Sequence, residues 1–159
     1  MGNIFSNDKA GCDMALSNGA TIVLLSTLIL SGSDLAQTEW EQELVTWLAE
    51  HDQTIYGLGV VGFDLDEIAW NPADFEQEKA FLLALTDLAL RRHRWEVLDY
   101  DPPFALCYLT DFRKLVECYT AEMVEGPKAW DWFQPPETLS KCPLHQVFVH
   151  ANGCLLCHD

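Results

Sequence analysis

The sequence predicts a mainly α fold, a compact assembly of about four helices followed by a small C-terminal knuckle and β-hairpin module. Three observations predict it. Apolar residues recur at helical spacing in several segments between residues 14 and 126. Helix start and stop signals bracket most of those segments. Beyond Pro127 the character changes: Trp130, Trp132 and Phe133 crowd together, Pro135-Pro136 stiffens the chain, and paired Cys and His residues appear. The division this implies is an acidic helical domain over residues 1–133, with a smaller module over 134–159 packed on it.

Each helix has its own local argument. Ser17-Asn18-Gly19 reads as a turn, and Thr21–Leu30 as a short buried helix, with Thr21, Ile22 and Val23 leaving a strand open there. Ser31-Gly32-Ser33-Asp34 reads as a break that offers Ser33 or Asp34 as an N-cap. In Leu35–Glu50, Trp40, Leu44, Trp47 and Leu48 fall at i, i+4, i+7 and i+8, one apolar stripe with Glu39, Glu41, Glu43 and Glu50 largely off it. The third helix starts with Asn71 as N-cap and Pro72 at the first position. Asp74, Glu76 and Glu78 load its positive end, and Arg91, Arg92 and Arg94 its far end. The fourth runs from Pro103 or Phe104 to a stop at Gly126-Pro127, with Leu109, Phe112, Val116, Tyr119 and Met123 on its stripe. Cys107 and Cys118, three turns apart on this helix, read as buried core thiols. Trp95–Tyr100 reads as a short strand or extended link.

Between the second and third helices, Gly57-Leu58-Gly59-Val60-Val61-Gly62 spells G-x-G-x-x-G. A phosphate loop of that pattern needs a buried strand before it and a helix opening at its last Gly. The preceding segment is instead an amphipathic helix, and Asp64, Asp66 and Glu67 put carboxylates where phosphate oxygens would lie. A flexible inter-helix loop is the expectation. The acidic trio lacks the spacing of a calcium loop and reads as a solvated helix start or a partner-facing edge.

The tail carries the strongest chemical signal. Cys142, His145, Cys154 and Cys157 spell C-x2-H-x8-C-x2-C. Each two-residue step is a tight knuckle that aims two donor atoms at one point, and zinc takes four such donors in a tetrahedron. The strand-like run Val147-Phe148-Val149 and the turn dipeptide Asn152-Gly153 would fold one knuckle onto the other. These residues resemble the small zinc-knuckle and zinc-ribbon modules, a resemblance of about twenty residues that says nothing of the rest of the chain. It implies a structural Zn2+, because a Cys3His set fills the coordination shell and leaves no position for water. His150 and His158 are alternative ligands to His145. A disulfide pair or unligated thiols are the competing expectations. Cys154-Leu155-Leu156-Cys157-His158 also spells the haem-attachment pattern, which requires export.

Export signals are weak. The run Ala20–Leu30 is too short to span a bilayer, and Lys9 stands against Asp8 and Asp13 where a signal peptide needs net positive charge. A cytoplasmic location with reduced thiols is therefore expected. The opening Met-Gly-Asn-Ile-Phe-Ser fits an N-acylation pattern at Gly2, but one acyl chain without a basic patch binds membranes only marginally.

Charge orients the functional reading. The 159 residues hold 25 Asp and Glu against 9 Lys and Arg, a net −16, so nucleic acid and anionic membrane surfaces are disfavoured as partners. Residues 34–101 hold 16 of those acids against 4 basic residues, a balance of −12. The expected function is a small acidic, zinc-stapled protein-binding domain that docks a basic protein, and small acidic immunity and inhibitor proteins are similar to it in composition. The rival expectation is an enzyme with a small-molecule site near Gly57–Gly62, although no nucleophile elbow, Walker motif or H-E-x-x-H motif occurs.

Overall fold

The computed structural model describes residues 3–54, 57–130, 132–151 and 153–157. Gly2 of the acylation pattern, Asn152 of the expected tail turn and His158 lie outside these. The chain opens with an antiparallel hairpin that the sequence reading did not anticipate. Strand β1 (Asn3–Asn7) pairs with β2 (Cys12–Leu16), from Asn3 opposite Leu16 to Asn7 opposite Cys12. Gly11, at φ 71°, supplies the left-handed turn residue between them.

Helix α1 (Asn18–Leu35) follows at once, and Ser17 is its N-cap, accepting from the Ala20 amide at 3.1 Å. The segment is helix, not strand, and it runs through Ser31-Gly32-Ser33-Asp34 without the expected break. The reason is packing. Ser31, Gly32 and Ser33 are buried, and a Cβ on Gly32 would lie 2.7 Å from Cγ2 of Val45. Small residues favour breaks where their backbone is left to water; here they let a second helix approach closely. Helix α1 is buried nearly all round, as a central core helix must be. By length and composition it is also the one described helix able to cross a membrane, and 72% of that stretch is buried inside the fold.

Helix α2 (Glu39–Ala49) therefore starts later than expected. Its cap is Thr38 rather than Ser33 or Asp34, in a reciprocal capping box with Glu41. The predicted stripe holds: Leu44, Trp47 and Leu48 are fully buried or nearly so. Strands β3 (Asp52–Gln53) and β4 (Gly59–Val60) form a minimal ladder. Asn71 caps a single 3-10 turn, Pro72–Asp74, by accepting from the Ala73 amide, and that turn leads into α3 (Phe75–Leu90).

Two expectations about the next segments are corrected. Trp95–Tyr100 is not extended; Trp95–Val97 is a 3-10 turn, entered through left-handed Arg92 and Arg94. Helix α4 (Ala105–Glu117) ends well before Gly126. Beyond it, Tyr119 turns inward, fully buried and stacked on Trp70 at 5.2 Å, and Met123 sits in a separate turn. Cys107 and Cys118 are exposed, not core thiols. Each lies two positions from a buried stripe residue, Leu109 and Val116, hence about 200° round the helix from it.

The tail does not form a regular hairpin. An antiparallel bridge joins Lys141 to Phe148, and a second joins His150 to Gly153. Cys142, Val147, Phe148 and Leu155 are buried in the same core cluster as α1, α2, α3 and α4.

Candidate metal centre

The first knuckle is built by two main-chain bonds around a tight turn. The Gln146 amide donates to the Cys142 carbonyl at 2.7 Å, and the Cys142 amide to the Val147 carbonyl at 2.8 Å, with Gln146 in the left-handed region at φ 56°. The second is a 3-10 turn, Leu155–Cys157, in which the Cys157 amide donates to the Cys154 carbonyl. The buried side chain of Leu155 anchors that turn in the core.

These turns bring Cys142, His145, Cys154 and Cys157 together, with all four donor atoms within 4.8 Å of one another. Nδ1 of His145 lies 3.7 Å from Sγ of Cys142, 3.7 Å from Sγ of Cys154 and 3.2 Å from Sγ of Cys157. The Cys142 and Cys157 sulfurs are 3.5 Å apart. A tetrahedral ion with sulfur at about 2.3 Å and nitrogen at about 2.0 Å requires donor–donor edges of about 3.5–3.8 Å. The four residues lie close enough to bind one metal ion. They form no disulfide; the described cysteines are all free thiols, and the 3.5 Å separation is far beyond a bond of about 2.05 Å.

The donor chemistry agrees with that geometry. Burial works against ionisation of Cys142, but the His145 and Leu144 amides and the His145 ring overcome it and bring the thiol down to about 6. Burial pushes Cys154 up to about 12, and the neighbouring sulfurs of Cys142 and Cys157 add to the effect, although the Leu156 amide points at its sulfur from 3.3 Å. Three sulfurs in mutual contact resist ionising together, and a bound cation removes that resistance.

Around the donors lies a supporting set that sequence reasoning missed. Arg94 donates from Nη2 to the His145 carbonyl at 2.6 Å, and the Phe148 amide donates to Oγ of Ser33 at 3.0 Å. The Ala151 amide donates to Oε2 of Glu50 at 3.1 Å. Arg94 reads in sequence as a helix-end charge, and only its inward turn at φ 58° reveals the second role. His150, the alternative ligand, sits outside the cluster, with Nε2 3.5 Å from Oδ2 of Asp52 and both side chains buried.

The acidic trio is engaged within the fold. Asp64 caps the 3-10 turn Leu65–Glu67, accepting from the Asp66 amide and from the Ser6 hydroxyl at 2.7 Å, while Glu67 closes a capping box. Asp66 accepts from the Tyr119 hydroxyl and faces Lys9 at 3.3 Å and Lys128 at 3.7 Å.

The chain was compared with protein-family models, curated proteins and solved structures. None of them matches it.

The Gly57–Gly62 glycines have local reasons. Gly57, just before β4, and Gly59, its first residue, take positive φ, and a Cβ on Gly62 would lie 2.1 Å from the Ile4 carbonyl oxygen. The loop opens no helix at its last glycine, which is where a phosphate loop gains its amide donors.

Proposed function

We propose that the protein is a small acidic protein-binding domain whose C-terminal tail is held by structural zinc, and that its partner is a basic protein. The observation that carries the zinc reading is the Cys3His donor set of Cys142, His145, Cys154 and Cys157, whose four donor atoms converge from two knuckles to within 4.8 Å of one another. Four protein donors complete a tetrahedral shell, so the ion has no position for a substrate or an activated water. Its role is then to tie residues 142–157 to the core, where Cys142 and Leu155 are already buried. Free thiols and a thiolate-bound ion belong to a reducing compartment, which supports a cytoplasmic setting.

The partner reading rests on charge. A surplus of −16, three quarters of it carried by residues 34–101, speeds encounter with a positively charged surface and makes the rate fall steeply with salt. A partner recovered from host cells whose association rate is independent of ionic strength contradicts this part.

Cobalt substitution tests the metal's role. Co2+ in the site should give the intense tetrahedral thiolate spectrum, unchanged by added cyanide or azide. A spectrum that shifts on adding either anion reveals an open coordination position and overturns the structural assignment.

A further inference from the structure

Helices α2 and α3 and the segment after Gly126 line an open cavity of about 500 Å3, inside the size range of ligand sites. The indoles of Trp40 and Trp130 line it, together with the carboxylates of Glu43, Asp74 and Glu78. A neighbouring cavity of about 220 Å3 shares Trp40, Asp74 and Glu78 with it. Asn71 and Asp74 are exposed, so the site reaches the surface.

Its charge is unbalanced in a specific way. Glu78 is only 6% exposed, and its Oε1 accepts from the Asn71 amide at 2.8 Å, but it makes no ion pair among the described residues. Buried carboxylates are normally paired, because an uncompensated charge in low dielectric is costly. The one basic side chain in the lining, Lys128, is already committed, donating to the Asp66 carbonyl at 2.9 Å with Oδ1 of the same residue at 3.7 Å. Burial, together with the neighbouring acids Glu39 for Glu43 and Asp74 for Glu78, holds both glutamates above their ordinary values. Each carboxylate keeps acceptor capacity beyond its internal bond.

We propose that this cavity receives an arginine side chain of the basic partner, its guanidinium lying against Trp40 and bonded to Glu78 and Asp74. Arginine fits better than lysine, since a planar fork can stack on an indole and bond a carboxylate through two N–H groups at once. The inference rests on the reading that the partner is a basic protein and names where that partner is gripped.

The test titrates 15N-labelled, metal-loaded protein with a short Gly/Ser peptide carrying three arginines, alongside its lysine and citrulline versions. The indole N–H signals of Trp40 and Trp130 should shift with the arginine peptide, more weakly with lysine, and not with citrulline. Asp74→Asn and Glu78→Gln should each weaken binding about tenfold, while Asp111→Asn, exposed on α4, should change it by less than about twofold. Thermal melting checks that each variant is folded. If the arginine peptide binds but leaves the indole signals and both cavity variants unaffected, the cavity assignment falls while the basic-partner reading stands. If it binds nowhere on the protein, both fall.

Discussion

Nη2 of Arg94 lies 2.6 Å from the main-chain carbonyl of His145, so the residue that supplies the one nitrogen of the metal cluster is gripped from the far end of α3. Arg94 also faces Oδ2 of Asp34 at 3.5 Å, so one guanidinium links the end of α1 to the first knuckle. Groups that orient ligands from behind typically tune metal affinity by about 10–100-fold. Arg94→Ala should therefore keep one metal per chain but weaken its retention about tenfold in a competition with a chromogenic chelator. Unchanged retention would show that the first knuckle needs no outside support.

Gly32 and Gly19 make opposite predictions within one helix. Gly32→Ala should cost about 1–3 kcal/mol, because its methyl meets the stiff, buried Val45 side chain at 2.7 Å. At Gly19 an added Cβ would meet only Oγ of Ser17 at 4.0 Å, in a helical backbone, so Gly19→Ala should stabilise by about 0.5–1 kcal/mol. Urea denaturation of the pair reads both signs. A neutral Gly32→Ala contradicts the close α1–α2 crossing.

His51 predicts the acid limb of the stability curve. Complete burial lowers its pKa to about 4, against the Trp47 and Leu48 carbonyls that favour the charged ring. Its Nδ1 is 2.8 Å from the Trp47 carbonyl, and the rings of Trp47, Phe63 and Trp132 lie 4.4–5.2 Å away. The folded state thus holds the neutral ring while the unfolded chain takes up a proton near pH 6.5. Its contribution is complete above about pH 6.5 and is lost as pH falls towards 4, by up to about 3 kcal/mol. The His51→Gln variant should lose this slope between pH 6.5 and 4. A wild-type stability flat across that interval contradicts the buried neutral ring.

Glu78 has the reverse sign. Its raised carboxyl pKa means that the folded state holds a proton more tightly than the unfolded chain, so its contribution declines as pH rises through the carboxylate range. Glu78→Gln keeps an oxygen for the Asn71 amide and removes the charge. It should raise stability by about 1 kcal/mol at pH 7 and by little at pH 4. Lowered stability at pH 7 would mean that the charge is compensated by a group the ion pairs do not reveal.

Legibility in the sequence tracked how local each cause was. The Asn71-Pro72 start signal could be read because a cap and its turn lie within four residues, but it opens the 3-10 turn Pro72–Asp74, and α3 itself begins later, at Phe75. The Cys/His cluster of the tail could be read because each knuckle brings its two donors together over three residues. The helix break expected at Ser31–Asp34 failed because Val45, on another helix, decides what those small residues do. The β1–β2 hairpin was missed for a similar reason: its strands are short, and Ser6 is held partly by the Phe63 carbonyl, far along the chain. Cys107 and Cys118 were misplaced by comparing them with each other instead of with the buried Leu109 and Val116. The supports of the metal cluster were invisible, since Arg94 lies 51 positions from His145 and Ser33 lies 115 from Phe148. The acidic cavity was not legible: Trp40 reads as part of the apolar stripe and Glu43 as lying off it, and only the fold brings Glu78 and Trp130 beside them.

The most direct test is elemental analysis of protein purified under reducing conditions, followed by thermal melting with and without a strong chelator. One zinc per chain, absent from Cys154→Ser and from Cys157→Ser, with melting lowered by several degrees on chelation, is the predicted result. Protein that is metal-free, takes up no Zn2+ and melts at the same temperature with the chelator would contradict the zinc-held tail.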